Sequence, residues 1–216
     1  MNETSAADTE VFGMPVGPLE SNCFLVVDTA TKKALLIDPG ADPEKIFDWC
    51  ALHQADVQKI LLTHGHGDHI GAIGACIDRF GGVPVGVHKD DADCLTDPLA
   101  NLSAYFDPVT APPADFFLEP DSLVEWEGPP VKVLHTPGHS PGSVCFHGEG
   151  WIVSGDVLFQ GGIGRTDFPR SNLQDLMRSI REKLMTLPPD TVVYPGHGPA
   201  TTIGHEKETN PFLHLG

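Results

Sequence analysis

The chain of 216 residues is 40% hydrophobic and carries a formal net charge of -17, from 13 Lys and Arg against 30 Asp and Glu. That length and apolar content can bury one sizeable core, so a single domain over residues 1–216, made of two closely packed halves, is expected. The charge excludes nucleic acid as a main partner, because binding there rests on Lys and Arg neutralising phosphates.

Five cysteines, Cys23, Cys50, Cys76, Cys94 and Cys145, are an odd number without C-x-x-C spacing, and several fall in apolar runs. They read as buried free thiols of a reducing compartment. The first ten residues are acidic and hold no hydrophobic run. They are neither signal peptide nor anchor, so a cytoplasmic protein without a membrane partner is expected.

Strands are expected at residues 11–16, 22–27 and 34–37, the last two forming a hairpin across the polar turn 28–32. Asp38-Pro39-Gly40 ends the third. Asp42 then offers an N-cap with Pro43 at the first helical position, and Ile46, Trp49 and Leu52 supply an apolar stripe. The apolar run 57–62 reads as a buried strand and leads directly into Thr63-His64-Gly65-His66-Gly67-Asp68-His69. In an extended segment side chains alternate, so His64 and His66 point the same way and can grip one cation. Gly65 and Gly67 let the backbone fold tightly and leave no bulk between the rings. Asp68 and His69 fall where an amphipathic helix pattern begins (Ile70, Ile73, Ile77, Phe80), so they leave in another direction, which suits a second cation. The helical His-Glu-x-x-His motif of metalloproteases is absent.

A strand at 83–87 follows. From about 88 to 121 the periodicity breaks, with five prolines, and the chain is expected to cross from one half to the other. Tyr105 and Phe106 in this crossing read first as packing residues, with covering a substrate cleft as the alternative. Strands resume at 123–126, 131–134, 144–146 and 151–153, the last two a hairpin. A helix then spans residues 172–184, a strand 191–194, and a short helix lies near Glu206. Strands precede helix and strand in each half, an order that two face-to-face sheets with helices outside would explain.

Three further residues stand where an apolar strand runs out into Gly or Pro: His139 after Thr136-Pro137-Gly138, Asp156 after Ser154-Gly155, and His197 after Pro195-Gly196. Each is competent to bind a metal. This series resembles the metallo-β-lactamase fold superfamily over nearly the whole chain: Asp38 after a strand, His64-x-His66-x-Asp68-His69, His139, Asp156 and His197. The resemblance implies an α+β fold, a four-layer αββα sandwich, with one metal held by His64, His66 and His139, the other by Asp68, His69 and His197, and Asp156 bridging. Asp38 resembles the family acid that orients a ligand imidazole, or else it simply starts the Asp-Pro-Gly turn. The remaining histidines match no motif position. His135, four residues before His139, reads as a strand residue packed in a sheet, with a partner role behind a ligand as the alternative.

The ligand set is imidazole and carboxylate without Cys, which suits Zn²⁺ first and Fe²⁺ or Mn²⁺ as well. Five neutral imidazoles and two carboxylates around two divalent cations leave a local charge of about +2, or about +1 with a bridging hydroxide, which favours an anionic or carbonyl substrate. A metal-bridging hydroxide oriented by Asp68 and Asp156 would attack the carbonyl. A thiolate leaving group departs without strong acid assistance, so a thioester is the substrate such a site hydrolyses most readily, ahead of lactones and other activated esters.

The stretch from Gly155 to Asp167 (GDVLFQGGIGRTD) and the run from Tyr194 to Thr202 (YPGHGPATT) are similar to the glyoxalase II group, the hydroxyacylglutathione hydrolases, in its short single-domain bacterial form. The chain stops at Gly216, soon after His197, so the C-terminal helical domain with which two-domain members grip glutathione is expected to be absent. The resemblance thus implies a thioester hydrolase without selecting the thioester. Arg165 either contacts a substrate carboxylate or is locked in a structural ion pair. An oxidoreductase alternative exists, because persulfide dioxygenases share the fold and the Gly-Arg-Thr-Asp run and hold one iron with two His and one carboxylate, here His64, His139 and Asp156. Gly198-Pro199-Ala200 departs from that family's pattern. A β-lactamase role is disfavoured, since Asp68 stands where many such enzymes have Cys.

Overall fold

In the computed structural model, residues 9–214 are described. Most of the acidic N-terminal decapeptide, read above as neither signal nor anchor, lies outside them. Strands β1 (Thr9–Val16), β2 (Ser21–Asp28) and β3 (Lys33–Ile37) pair antiparallel in sequence order, with Phe24 opposite Ile37 in the expected hairpin. Helix α1 (Pro43–Leu52) crosses to β4 (Asp56–Leu61), which runs parallel to β3. Helices α2 (Gly67–Ile70) and α3 (Ile73–Arg79) cross to β5 (Val85–Val87), and the crossing segment ends in β6 (Phe116–Phe117). These strands form one sheet in the order β1-β2-β3-β4-β5-β6.

The other half opens with β7 (Lys132–His135), β8 (Val144–Gly148) and β9 (Trp151–Gly155), followed by a separate small hairpin of β10 (Leu158–Phe159) and β11 (Gly162–Ile163). Helix α4 (Leu173–Ser179), strands β12 (Val192–Pro195) and β13 (Thr201–Thr202) and helix α5 (Ile203–Thr209) complete it. The second sheet has the order β13-β12-β9-β8-β7.

Alternation along the strands sorts the apolar side chains into three layers. Leu25, Val27, Ala34, Leu36 and Ile60 face α1 and α3, against Ile46, Cys50, Ile73 and Cys76. Phe24, Val26, Leu35, Ile37 and Leu61 face Val133, Val144, Phe146, Trp151 and Val153 of the other sheet. Leu134, Cys145, Ile152 and Val193 point outward onto Leu176, Ile180, Leu184 and Ile203. Both sheets are thus apolar on two faces, and helices cover the outer face of each. This is the four-layer αββα sandwich. Among the described residues no helix is long and apolar enough to cross a membrane.

Several local expectations are corrected. The helix expected from Asp68 through Phe80 is two pieces, because Gly71 and Ala72 meet the Asp38-Pro39-Gly40 turn: Ala72 N donates to Pro39 O at 2.9 Å, and a Cβ at Gly71 would lie 2.5 Å from Gly40 O. Residues 123–126 lie along β7 but join it only by an isolated bridge from Leu123 to Lys132, where Trp126 turns back to donate its indole N–H to Pro129 O. Asp42 does not cap α1 with its side chain. It takes a left-handed backbone, and its carboxylate accepts from Gly17 N. Leu52, placed on the apolar stripe, is exposed at the helix end, and Cys50 takes the buried position. The helix expected to Leu184 ends its α-helical part at Ser179 and continues as a π-helical turn, Ile180–Leu184.

Phe146 is fully buried in the layer between the sheets. Phe146→Ala is expected to cost about 3–5 kcal/mol in urea unfolding, whereas Leu52→Ala should change stability by about 0.5 kcal/mol or less. Equal effects of the two would contradict this layering.

Candidate metal centre

Each candidate ligand follows a strand: His64 comes just beyond β4, His139 beyond β7, Asp156 beyond β9 and His197 beyond β12. The first belongs to one sheet and the other three to the second, so the site lies on the rim where both sheets end. Backbone hydrogen bonds across that rim hold the halves together there, with Val144 N donating to Thr63 O at 2.7 Å and Asn22 N to Gly196 O at 2.6 Å.

The seven sequence-predicted ligands come together as two clusters. In one, His64, His66 and His139 present ring nitrogens within 4.8 Å of one another, and His66 Nδ1 is 3.0 Å from His139 Nε2. In the other, Asp68 Oδ2 lies 3.2 Å from His197 Nε2 and 3.5 Å from His69 Nε2. Asp156 stands between them, with Oδ2 3.5 Å from His139 Nε2 and 3.7 Å from His197 Nε2, and Oδ1 3.7 Å from His69 Nε2.

The outer nitrogen of four imidazoles is tethered. His69 Nδ1 donates to Asp38 Oδ2 at 3.1 Å, His139 Nδ1 to Arg165 O at 2.9 Å and His197 Nδ1 to Leu19 O at 3.1 Å, while His64 Nδ1 lies 3.0 Å from Thr63 Oγ1. A fixed donor role for Nδ1 leaves Nε2 as the acceptor facing the cluster. Asp38 is fully buried and its carboxylate is occupied, accepting also from Thr63 N at 2.8 Å and Thr63 Oγ1 at 2.5 Å. It therefore orients His69, and both of its oxygens are already hydrogen-bonded, although Asp38 also lies within reach of His64 and His69 as a third metal-competent group.

Among the described residues, His64 Nε2, His69 Nε2 and Asp156 Oδ1 are buried with no hydrogen-bond partner. Leaving such groups unpaired costs about 1–3 kcal/mol each. Three of them converging inside one cluster of imidazoles and carboxylates fit a divalent cation, whose positive charge satisfies all of them together.

Charges follow the same geometry. Burial and repulsion among the imidazoles hold His64 well below its ordinary pKa and bring His66 to about 3, so both are neutral with a lone pair to offer. Burial opposes ionisation of Asp68, but His69 and His197 outweigh it and hold the carboxyl below the usual carboxylate range. Burial likewise opposes a charge on His69, yet Asp68 and the hydrogen bond to Asp38 raise it to about 10.

The glycines of the motif serve a purpose beyond the one expected. A Cβ on Gly65 would lie 2.5 Å from Cys94 Cβ, and one on Gly67 would lie 2.7 Å from Ser103 Cβ. Their backbone N–H groups donate to Asp91 Oδ2 at 3.1 Å and to Asn101 O at 2.9 Å. The crossing segment thus packs directly against the histidine loop, a buttress that local pattern did not reveal.

Tyr105 and Phe106, read first as packing residues, are 69% and 87% exposed. They sit at the end of the segment that abuts Gly67, too far out to pack. Arg165 makes a bidentate pair with Asp167, at 2.9 and 2.8 Å, and its guanidinium lies 4.1 Å over the Phe168 ring. The ion pair named as one alternative is thus present, at an exposed position. Phe168 was missed, although it directly follows the Gly-Arg-Thr-Asp run; its ring stands edge-on to His66 and His139 and walls the first cluster. His135 ends β7 half-buried, with Nε2 donating to Pro141 O and its ring stacked on His88 at 4.1 Å and 10°. With Asp90 these two form a further His/Asp group. Lone pairs in two stacked planes run parallel, so that pair does not converge on one ion.

Three similarities bear on this geometry. Haemophilus influenzae hydroxyacylglutathione hydrolase GloC is 38% identical over 210 residues, 93% of this chain and 96% of that one. The crystal structure of BLEG-1 B3 metallo-β-lactamase is 41% identical, with a TM-score of 0.91 over 95% of this chain and 100% of that one. The crystal structure of TTHA1623 in a di-iron-bound form is 39% identical, with a TM-score of 0.82 over 94% and 100%. The Lactamase_B family model, described as the metallo-beta-lactamase superfamily, matches residues 16–197, from the last residue of β1 through the last predicted ligand, and the chain belongs to that superfamily of metallo-hydrolases.

Proposed function

We propose that this metallo-hydrolase cleaves a thioester of the hydroxyacylglutathione type with two divalent cations, one at His64, His66 and His139, the other at Asp68, His69 and His197, with Asp156 shared. The observation that carries the proposal is the convergence of unpartnered buried atoms from both clusters and from Asp156 on one space. The imidazole and carboxylate donors suit Zn²⁺ first, then Fe or Mn, and the di-iron form of the TTHA1623 relative supports the dinuclear count. Bound there, two such cations acidify water towards neutrality and polarise a carbonyl.

The chain supplies the rest. Asp38, Leu19 O and Arg165 O fix the tautomers that turn His69, His197 and His139 inward. Phe168 on one side, and Phe159 beside His197 at 6.4 Å between ring centres, offer apolar walls that thin the water around a bound carbonyl. A thiolate leaves without a strong acid, which matches a site whose nearby cationic side chain, Arg165, is engaged by Asp167. The likeness to GloC over nearly both full lengths supports this substrate class. A small anionic or carbonyl compound is therefore the proposed partner, in a chain whose charge disfavours nucleic acid. Five buried free cysteines support a reducing, cytoplasmic setting. The likeness to BLEG-1 favours a second reading, β-lactam hydrolysis at the same clusters.

The test is a metal-replete activity screen over lactoylglutathione, a lactone, a β-lactam and glutathione persulfide, with metal content and oxygen uptake measured. Thioester hydrolysis with two metals per chain and no oxygen uptake is expected. One iron with oxygen consumption, or turnover of the β-lactam alone, would overturn the proposal. Asp68→Ala is expected to lose one of the two metals and several orders of magnitude in hydrolysis, with an unchanged far-ultraviolet spectrum. Undiminished turnover would contradict the two-metal arrangement. Because His69 is raised to about 10 in the metal-free protein, it holds a proton at pH 7.5. Loading the second cluster should release at least one proton, that of His69, with a further contribution from His197, which burial lowers but Asp68 and Asp156 raise, read from titration heats in buffers of different ionisation enthalpy.

A further inference from the structure

Asp91 lies in a 3-10 turn, Lys89–Leu95, in a run of acids (Lys89-Asp90-Asp91-Ala92-Asp93) that reads as a solvated surface. Asp91 is instead fully buried. Its Oδ2 accepts from Gly65 N at 3.1 Å and from Ser140 Oγ at 2.6 Å, and its Oδ1 accepts from Gly142 N at 2.8 Å. Gly65 lies between His64 and His66, while Ser140 and Gly142 directly follow His139. One carboxylate therefore links the two loops that carry the three-imidazole cluster, 26 and 51 residues away along the chain. The socket is built for it: a Cβ at Gly142 would lie 2.6 Å from Asp91 Cγ. The turn is braced in its own right, since Arg170 Nη1 donates to both oxygens of Asp93, at 3.1 and 3.0 Å, and Nη2 to Asp90 O at 2.5 Å.

We propose that Asp91 is a positioning residue that sets the spacing of His139 against His64 and His66, and so tunes cation binding at that cluster and not at Asp68, His69 and His197. The proposal rests on the metal-site reading above. A buried carboxylate is costly unless it is hydrogen-bonded, and here the donors come from both loops, so its desolvation is offset only while the loops stay in register. The second cluster is held by other partners, Asp38 on His69, Leu19 on His197 and Asn101 O on Gly67 N.

Asp91→Asn keeps the shape but replaces one oxygen with an NH₂, so whichever way the amide sits, either Gly65 N or Gly142 N faces a donor and one loop is released. The experiment titrates metal-stripped full-length protein with Zn²⁺ in two backgrounds: His197→Ala, where the three-imidazole cluster is the intact one, and His139→Ala, where the Asp68–His69–His197 cluster is. Asp91→Asn is expected to weaken Zn²⁺ about 10–100-fold in the first background and less than about twofold in the second. Ser140→Ala, which leaves both glycine bonds in place, should cost roughly 3–10-fold in the first and decides the matter if Asp91→Asn does not fold. Unchanged Zn²⁺ affinity in a folded variant, even with a lowered melting temperature, overturns the positioning role and leaves the metal sites standing, as does equal weakening in both backgrounds. No Zn²⁺ uptake in either background with Asp91 intact overturns the metal-site reading and this proposal with it.

Discussion

The centre depends on one constraint: five imidazoles and two carboxylates crowd the rim of an apolar sandwich, and each must be held without neutralising its neighbour. The outer nitrogens of His69, His139 and His197 are anchored to Asp38, Arg165 O and Leu19 O, which fixes the direction in which each ring faces the cluster. His64 and His69 keep a buried, unpaired Nε2 as a result. Buried polar groups are normally paired, so the surrounding fold must pay for holding these open. It does so with three apolar layers packed beneath the site and with backbone hydrogen bonds that tie the strand ends of the two sheets together.

The electrostatics show why the arrangement is asymmetric. In the three-imidazole cluster His64 and His66 are neutral, pushed down by burial and by the imidazoles around them. The second cluster, which holds the ionised Asp68, keeps charge on His69 by pairing it with Asp68 and Asp38. On the proposed assignment, a cation held by His64 and His66 would displace no proton from them, whereas one held by His69 would displace its proton, so the two positions would differ in pH response.

What could be read from the sequence and what could not divide along the range of the interactions. Period-two alternation placed both sheets, and the habit of ending an apolar strand in Gly or Pro before a His or Asp singled out all seven residues that the fold brings together. These are local signals. The buttress was not legible, because Asp91 lies in a run of acids that looks solvated and Asn101 in a proline-broken crossing, and their partners at Gly65, Gly142 and Gly67 are distant in sequence. The same limit explains the broken helix at Gly71, which answers to the turn at Gly40, and the missed aromatic wall at Phe168. Residues 123–126 failed for the opposite reason. Their local pattern is that of a strand, but Pro129 and Pro130 and the back-turned Trp126 leave them only a ragged pairing with β7.

A last step follows from where the ligands originate. His64, His66, Asp68 and His69 follow β4 of the first sheet, whereas His139, Asp156 and His197 follow strands of the second. On the proposed assignment each cation would be held by side chains from both sheets and would act as a staple between halves joined covalently through the long crossing. An unfolded chain offers no such preformed set, and whatever binds the folded site alone stabilises the fold by its own binding free energy. The crossing segment, in turn, packs against the histidine loop at Gly65 and Gly67. The connection between the halves and the site that joins them are therefore parts of one packed unit, which is why a carboxylate such as Asp91, well back from the reacting space, can govern how well the rim closes.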